Sequence, residues 1–111
     1  MHISWDDFEK IDIRTGRIEK AEVFESARKP AFKLWIDFGP EFGQRRSSAQ
    51  ITAHYTPDAL VGKTIVAVVN FPPKQIANFF SECLVLGVYD ENNDVVLLAP
   101  DRPVAPGQKI G

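Results

Sequence analysis

Hydrophobic and polar residues alternate most clearly between residues 32 and 38 of the chain. Large apolar side chains occupy one parity of this segment, at Phe32, Leu34, Ile36 and Phe38. The opposite parity carries Lys33, Trp35 and Asp37. Because successive side chains of a strand point to opposite faces, this pattern predicts a strand with an apolar inner face and with Trp35 on the outer face.

Other segments predict further strands. They are Ile11 to Phe24, Arg45 to Thr52, Thr64 to Val69, Leu84 to Tyr89 and Val95 to Ala99. The first is long, and its alternation slips near Gly16, which is typical of a bulged and bent barrel strand. The run from Thr64 to Val69 is nearly all apolar and β-branched, which predicts a strand covered on both sides.

Helix and turn signals fill the spaces between these strands. Ser4 and Asp7 form a capping-box pattern that predicts a short helix ending near Ile11, within an N-terminal arm of residues 1–10. Thr56 and Pro57 predict one helical turn that reaches Leu60. Hairpin turns are predicted at residues 39–43 and 90–94, and the tail of residues 100–111 is predicted to be extended coil.

The order of these elements predicts the fold class. A chain of 111 residues is the size of one domain, so residues 1–111 are predicted to form a single domain. A long bent strand, a hairpin, a helical turn, a strand and a second hairpin favour an all-β, five-stranded Greek-key barrel of the OB type over a sandwich. An SH3-like barrel is the main competing fold.

Charge and composition narrow the classes of function. The 13 Lys and Arg against 15 Asp and Glu give a net charge of −2, which argues against a nonspecific polyanion binder. Residues 26–81 nevertheless carry seven cations and three anions, which predicts a locally positive surface. The single cysteine, the lack of an apolar run near 20 residues and the absence of a secretory pattern predict a cytoplasmic protein without membrane insertion.

Residues that could support catalysis do not form a recognisable motif. The segment Gly62–Lys63–Thr64 resembles the end of a phosphate-binding loop, but Pro57 stands where the loop needs a glycine. The two histidines, His2 and His54, and the thiol of Cys83 lack the spacing of a zinc site. Cys83 opens an apolar strand, where buried and inert thiols are common. The sequence therefore predicts a binding protein that is not an enzyme and uses no metal or cofactor.

An exposed Trp35 among charged residues is the strongest binding signal. If the next strand pairs as a hairpin, Arg46, Ser48 and Gln50 join the same face. A ring, cations and hydrogen-bond donors suit an unpaired base, worth ~1–3 kcal/mol for each base stacked, and they also suit an extended peptide. Alternatively, Trp35 packs under the N-terminal helix or in a dimer interface. We call this outer face the platform; its residues are Lys33, Trp35, Asp37, Arg46, Ser48 and Gln50. Three further aromatic residues lie near Lys74 and either extend the platform or fill a core or an interface, namely Phe71, Phe79 and Phe80.

Several motifs together resemble one known family. They are the run IDIRTGRI that begins at Ile11, residues 27–30 leading into residues 33–39, and the segments 47–52, 70–77 and 81–87. These motifs resemble CsaA-type members of the tRNA-binding-domain family over essentially the whole chain. The resemblance implies an OB-fold homodimer and two activities: binding structured tRNA, and acting as a chaperone for unfolded or presecretory polypeptides destined for export. It favours the chaperone activity, with a free-standing tRNA-binding protein as the alternative.

Two surfaces are predicted from the residue pattern and the resemblance together. The peptide- or tRNA-binding residues are Arg28, Lys29, Lys33, Trp35, Asp37, Arg46, Ser48, Gln50, Asn70, Phe71, Lys74, Ser81 and Glu82. The dimer-interface residues are Trp5, Phe8, Phe79 and Phe80. Where tRNA-binding relatives carry a basic loop and a Ser-Gln-Gly-Met motif, this chain keeps Ser81 but has Glu82, Cys83 and Leu84, with Lys74 as the only cation. Fewer cations weaken contact with phosphates.

Overall fold

The computed structural model describes all residues, 1–111. It contains three short helices, which are α1 (Trp5–Glu9), α2 (Gly39–Phe42) and α3 (Pro57–Leu60). The longer strands are β1 (Ile13–Val23), β2 (Phe32–Asp37), β3 (Gln44–Ala49) and β4 (Thr64–Val68). The shorter strands are β5 (Lys74–Ile76), β6 (Phe79–Ser81), β7 (Leu84–Val85), β8 (Gly87–Tyr89) and β9 (Val95–Leu97). None of the helices is long and apolar enough to cross a membrane.

Five antiparallel strands form the central sheet, in the order β3-β2-β1-β4-β7. The long β1 pairs with β4 through its first half and with β2 through its second half, so the sheet curls around it. The free edge of β3 then meets residues 81–83, where the Glu82 N–H donates to the Arg46 carbonyl at 2.7 Å. The result is a nearly closed five-stranded barrel, and the predicted all-β barrel with short helices is confirmed at this level.

Gly16 leaves room for two core side chains to pack directly on the backbone of β1. A Cβ at this position would lie 2.6 Å from Ile36 Cγ2 and 2.7 Å from Phe38 Cε1. The irregularity in the β1–β2 pairing falls between Ile18 and Lys20, slightly beyond the slip predicted at the glycine. The bent barrel strand is therefore present, with its bulge displaced by a few residues.

The apolar parity of β2 fills the barrel interior, as its alternation predicts. Leu34, Ile36 and Phe38 are fully buried beside Ile18 and Ile65. Burying each such side chain stabilises the fold by ~1.5–3 kcal/mol. A second, smaller cluster lies outside this core and consists of Phe24, Ala31 and Phe79, with Trp35 packed against it.

The short helices differ from the predictions at one place. In α1 the Ser4 hydroxyl accepts the Asp7 N–H at 3.1 Å and the Asp7 carboxylate accepts the Ser4 N–H, which is the predicted capping box. The Thr56 hydroxyl caps α3 as predicted. Residues 39–42, predicted as part of a plain turn, instead form the helical turn α2, and the Gly43 N–H donates to the Gly39 carbonyl at 2.7 Å.

The segment predicted as one strand from Leu84 to Tyr89 is divided between two sheets. β7 pairs with β4, whereas β8 pairs with β9 in a separate hairpin. Leu86 joins them, because its N–H donates to the Val66 carbonyl and its carbonyl accepts the Leu98 N–H. The prediction of a continuous strand is therefore wrong at this residue, where the chain leaves the barrel.

The C-terminal tail is held against the barrel and is not a free coil. It runs beside the first half of β1, where the Thr15 N–H donates to the Gln108 carbonyl at 2.9 Å and the Ile110 N–H donates to the Ile13 carbonyl at 2.8 Å. The buried Thr15 hydroxyl also donates to the Ala105 carbonyl at 2.9 Å. Gly107, with a φ of +86°, allows the tail to contact the Phe38 carbonyl.

Candidate functional site

The outer face of β2 and β3 carries the predicted platform. In the strand register Trp35 lies opposite Arg46 and Lys33 lies opposite Ser48. Trp35 is half-buried, so its ring is neither sealed in the core nor fully open to solvent. The β1 register adds Lys20 beside Trp35, and the Lys20 Nζ lies 4.6 Å from the indole centroid.

A hairpin formed by β5 and β6 supplies the cover over Trp35. Phe79 of this hairpin packs edge-on against Phe24 and Trp35, with ring centroids 5.4 and 5.9 Å apart. The Lys33 Nζ lies 5.2 Å and the Arg46 Cζ 5.3 Å from the Phe79 centroid. Cations over aromatic faces are stabilised by the ring quadrupole, so the hairpin holds the platform cations in place.

A groove lies between the loop of residues 24–31 and the β5–β6 hairpin, and we call it the loop–hairpin groove. Its volume is about 610 Å³. Predicted binding residues meet in its walls, namely Arg28, Lys29, Ser48, Gln50 and Lys74. Its three cations make no ion pair within the chain. The groove therefore offers positive charge and polar hydrogen-bonding groups to a ligand.

A second pocket of about 450 Å³ adjoins the groove through Lys74, and we call it the Phe71 pocket. Phe71 is 55% exposed at its rim, and Ser81, Cys83 and Leu84 also line it. The Ser81 hydroxyl accepts the Ser48 N–H at 3.2 Å and donates to the Cys83 carbonyl at 3.3 Å. Ser81 thus joins β3 to the pocket wall and leaves an apolar surface beside the polar groove.

Glu82 neutralises one of the platform cations. Its Oε1 accepts the Arg46 backbone N–H at 2.9 Å and the Arg46 Nε–H at 3.3 Å. Both side chains are at least a third exposed, so water screens this ion pair. Arg46 is therefore less available to an anionic ligand than Arg28, Lys29 or Lys74.

Two predicted binding residues are engaged in holding the fold. The Asn70 Nδ2 donates to the Lys10 carbonyl at 2.7 Å, and its Oδ1 accepts the Asp12 N–H at 3.0 Å. Asn70 thereby ties the end of β4 to the segment after α1. The Asp37 Oδ1 accepts the Gly39 N–H at 2.8 Å and shapes the turn into α2.

The residues predicted at a dimer interface divide into buried and exposed ones. Phe79 is only 4% exposed, so the chain itself covers this ring, whereas Phe80 is 44% exposed. Trp5 is 78% exposed and packs edge-on against Phe8 with centroids 6.2 Å apart. With Ile3, these two rings line a shallow hollow of about 420 Å³. The N-terminal arm therefore presents an uncovered apolar surface.

Cys83 and the cluster of His54, Asp90 and Asp94 carry groups of the kind used in catalysis or metal binding. Burial raises the pKa of the Cys83 thiol to about 12, and its Sγ donates to the Arg46 carbonyl at 3.7 Å. His54, Asp90 and Asp94 place one ligand atom each within 4.8 Å of one another. The Asp90 oxygens, however, already accept the N–H groups of Asn92 and Asp94 and bond His54 at 2.6 Å.

The β5–β6 hairpin and the stacking of Lys20 on Trp35 are not among the features predicted from the sequence. Lys74, Gln75 and Ile76 form β5, whose outer edge lines the loop–hairpin groove. A signal for Lys20 exists in the sequence, because it falls on the outer parity of β1 after the bulge. No comparable alternation marks the three-residue strands β5 and β6.

Comparisons with known proteins agree with this geometry. The family described as "Putative tRNA binding domain" matches residues 13–109. A CsaA chaperone protein from Picrophilus torridus is 55% identical with a TM-score of 0.93, covering 99% of this chain and 100% of that one. The chaperone CsaA from Bacillus anthracis is 51% identical with a TM-score of 0.93, and both chains are fully covered.

A larger relative contains the same unit. The methionine–tRNA ligase of Archaeoglobus fulgidus is 38% identical over 108 residues, which is 97% of this chain. The chain spans only 16% of the length of that ligase. The similarity therefore concerns one segment of the ligase.

Proposed function

The chain belongs to the tRNA-binding-domain family, and from this premise we propose that it is a CsaA-like chaperone that binds unfolded or presecretory polypeptides without catalysing a reaction. The supporting observation is the contiguity of two unlike surfaces. The loop–hairpin groove supplies unpaired cations and amides, and the Phe71 pocket beside it supplies apolar surface. An extended polypeptide presents both backbone carbonyls and apolar side chains to such a site.

The affinity for peptide comes mainly from apolar side chains in this proposal. A side chain that enters the Phe71 pocket is removed from water, while Arg28 and Lys29 hold carbonyl or acidic groups of the same segment. Because burial of apolar surface depends little on screening, the binding survives moderate salt.

Fluorescence anisotropy with labelled unfolded presecretory peptides tests the proposal. We expect saturable binding at micromolar protein, weakened by Phe71→Ala. Tyr89→Ala is the matched control, because Tyr89 is an exposed aromatic residue of the β8–β9 hairpin, outside both pockets. Absence of saturable binding to the parent protein would overturn the chaperone proposal.

tRNA binding is the second candidate function. It is supported by the description of the matched family and by the unpaired Arg28, Lys29 and Lys74 of the groove. The Arg46–Glu82 pair opposes it, since the carboxylate repels phosphates. A competition titration of peptide against tRNA on one labelled protein separates the two functions. A complex that resists salt and Lys74→Ala would count against RNA as the ligand.

We also propose that the protein acts as a homodimer in the cytoplasm. The exposed Trp5, with Phe8 in the hollow of the N-terminal arm and Phe80 on the hairpin, supplies apolar surface that a second copy could cover. Sedimentation equilibrium measures the molar mass in solution and therefore the oligomeric state. A dimer that dissociates on Trp5→Ala supports the assignment, and a parent protein that remains monomeric at micromolar concentration overturns it.

A further inference from the structure

A cleft distinct from the loop–hairpin groove and the Phe71 pocket carries three cations that make no ion pair within the chain. The cleft has a volume of about 670 Å³ and lies between β1, the start of β4 and the tail. Arg17, Lys63 and Arg102 line it, and none of them makes an ion pair. Asp101 is the single carboxylate of the lining, so positive charge is in excess.

Two of these cations stand on rigid backbone. Arg17 lies in β1, between β2 and β4. In the strand register it stands opposite Asp37 of β2 on one side and Thr64 of β4 on the other. The Lys63 carbonyl accepts the Ile18 N–H at 2.9 Å, and the Lys63 N–H donates to the Leu60 carbonyl at 3.0 Å. The backbone at Arg17 and Lys63 is therefore fixed before any ligand binds, so binding does not have to order it, which lowers the entropic cost of binding.

The tail wall of the cleft is also fixed. The Leu98 N–H donates to the Leu86 carbonyl at 3.2 Å, and the Thr15 hydroxyl donates to the Ala105 carbonyl at 2.9 Å. Arg102 lies on the segment between these anchors. The half-buried Tyr55 adds a donor, because its hydroxyl accepts the Leu97 N–H at 3.0 Å and its own hydrogen has no acceptor within the chain.

We propose that this cleft binds phosphates of an RNA backbone and is a second contact surface for the RNA. The inference rests on the second candidate function, tRNA binding. Arg17 and Phe24 are seven positions apart on or beside β1, so the cleft begins about 20 Å from the loop that borders the groove. A folded RNA is large enough to contact both surfaces at once, and its repeated phosphates suit a lining in which three cations stand against one carboxylate.

The test measures the salt dependence of binding for labelled tRNA. Removing one cation that touches a phosphate reduces the slope of log K against log salt by about 0.9. For Arg17→Ala, Lys63→Ala and Arg102→Ala we therefore expect the ratio of affinities at 50 and 200 mM salt to fall about 3.5-fold each. Lys10→Ala removes the same charge outside the cleft, where Lys10 already pairs with Asp7, and should leave the slope unchanged.

Two further measurements keep the outcomes distinct. Amide shifts of Gly62 and Lys63 in the parent protein should move when tRNA is added, which needs no variant. If tRNA binds and Lys74→Ala lowers the slope while cleft variants and amides do not respond, the cleft inference is wrong and the RNA-binding function stands. If the parent binds no tRNA, both are wrong. Binding of an acidic peptide that is abolished in the cleft variants, without an effect on tRNA, would instead assign the cleft to a polypeptide.

Discussion

Arg46 and Glu82 are joined by three hydrogen bonds, two through backbone groups of Arg46 and one through its guanidinium. The arrangement closes the barrel at the edge of β3. It also places a carboxylate beside the platform that a nucleic acid would have to approach. Glu82 thus stabilises the barrel and weakens the binding of polyanions at the same face.

Replacing Glu82 by Gln should strengthen tRNA binding. Gln keeps an oxygen that accepts the Arg46 N–H but removes the charge, so Arg46 becomes available to a phosphate. We expect the salt slope for tRNA to steepen by about 0.9, with little change in peptide affinity. Filter binding across a salt series gives the slope. An unchanged slope would mean that Arg46 lies outside the RNA interface.

Trp35 should report ligand binding through its fluorescence. The chain has two tryptophans, so Trp5→Phe leaves the half-buried Trp35 as the only indole emitter. A ligand on the outer face of β2 changes the polarity around this ring and shifts its emission. In the same background, Trp35→Ala should weaken binding of an RNA base stacked there by ~1–3 kcal/mol. Saturation without any spectral change would remove Trp35 from the site.

Cys83 should resist alkylation while the protein is folded. Burial raises the pKa of its thiol from 9.0 to about 12, so at pH 8 the native thiolate fraction is roughly a thousandfold smaller than in the unfolded chain. The folded state disfavours the thiolate, so the free energy of unfolding depends on pH. The contribution of Cys83 to this free energy is intact below the ordinary thiol pKa and is lost as pH rises towards 12. Iodoacetamide labelling followed by mass spectrometry, with and without urea, checks this. Equal labelling rates in both states would contradict burial of the thiol.

Gly16→Ala should destabilise the barrel without altering its ligand preference. The added Cβ would overlap Ile36 and Phe38, and overpacking of a core costs ~1–3 kcal/mol. Urea unfolding measures the destabilisation. Gly111→Ala is the matched control, since a Cβ there meets no atom within 4 Å. Equal midpoints for the two variants would show that β1 shifts to accommodate the methyl group.

Local alternation is sufficient to predict the inner and outer faces of β2, because each side chain's face follows from its parity alone. It identifies Trp35 and, through hairpin pairing, Arg46 and Ser48. The β5–β6 hairpin could not be found in this way. Its position depends on Phe79 packing against Phe24 and Trp35, residues far away in the sequence.

The same limit explains contacts that the sequence pattern does not reveal. Asn70 is predicted to be a binding residue in the loop that contains Phe71 and two prolines. In the structure its amide bonds to Lys10 and Asp12, which are 60 and 58 positions away. Leu86 likewise ends one sheet and begins another because of partners at Val66 and Leu98. Such long-range partners are set by the tertiary fold and leave no local periodicity.

The tail that runs beside β1 also bears on how the protein behaves at high concentration. Ile13 and Thr15 lie where β2 no longer reaches, and Gln108 and Ile110 occupy their backbone groups. An uncovered strand edge is where sheets from separate molecules join and aggregate. The tail therefore covers this strand edge, and removing it would expose backbone groups through which strands of separate molecules could pair and aggregate.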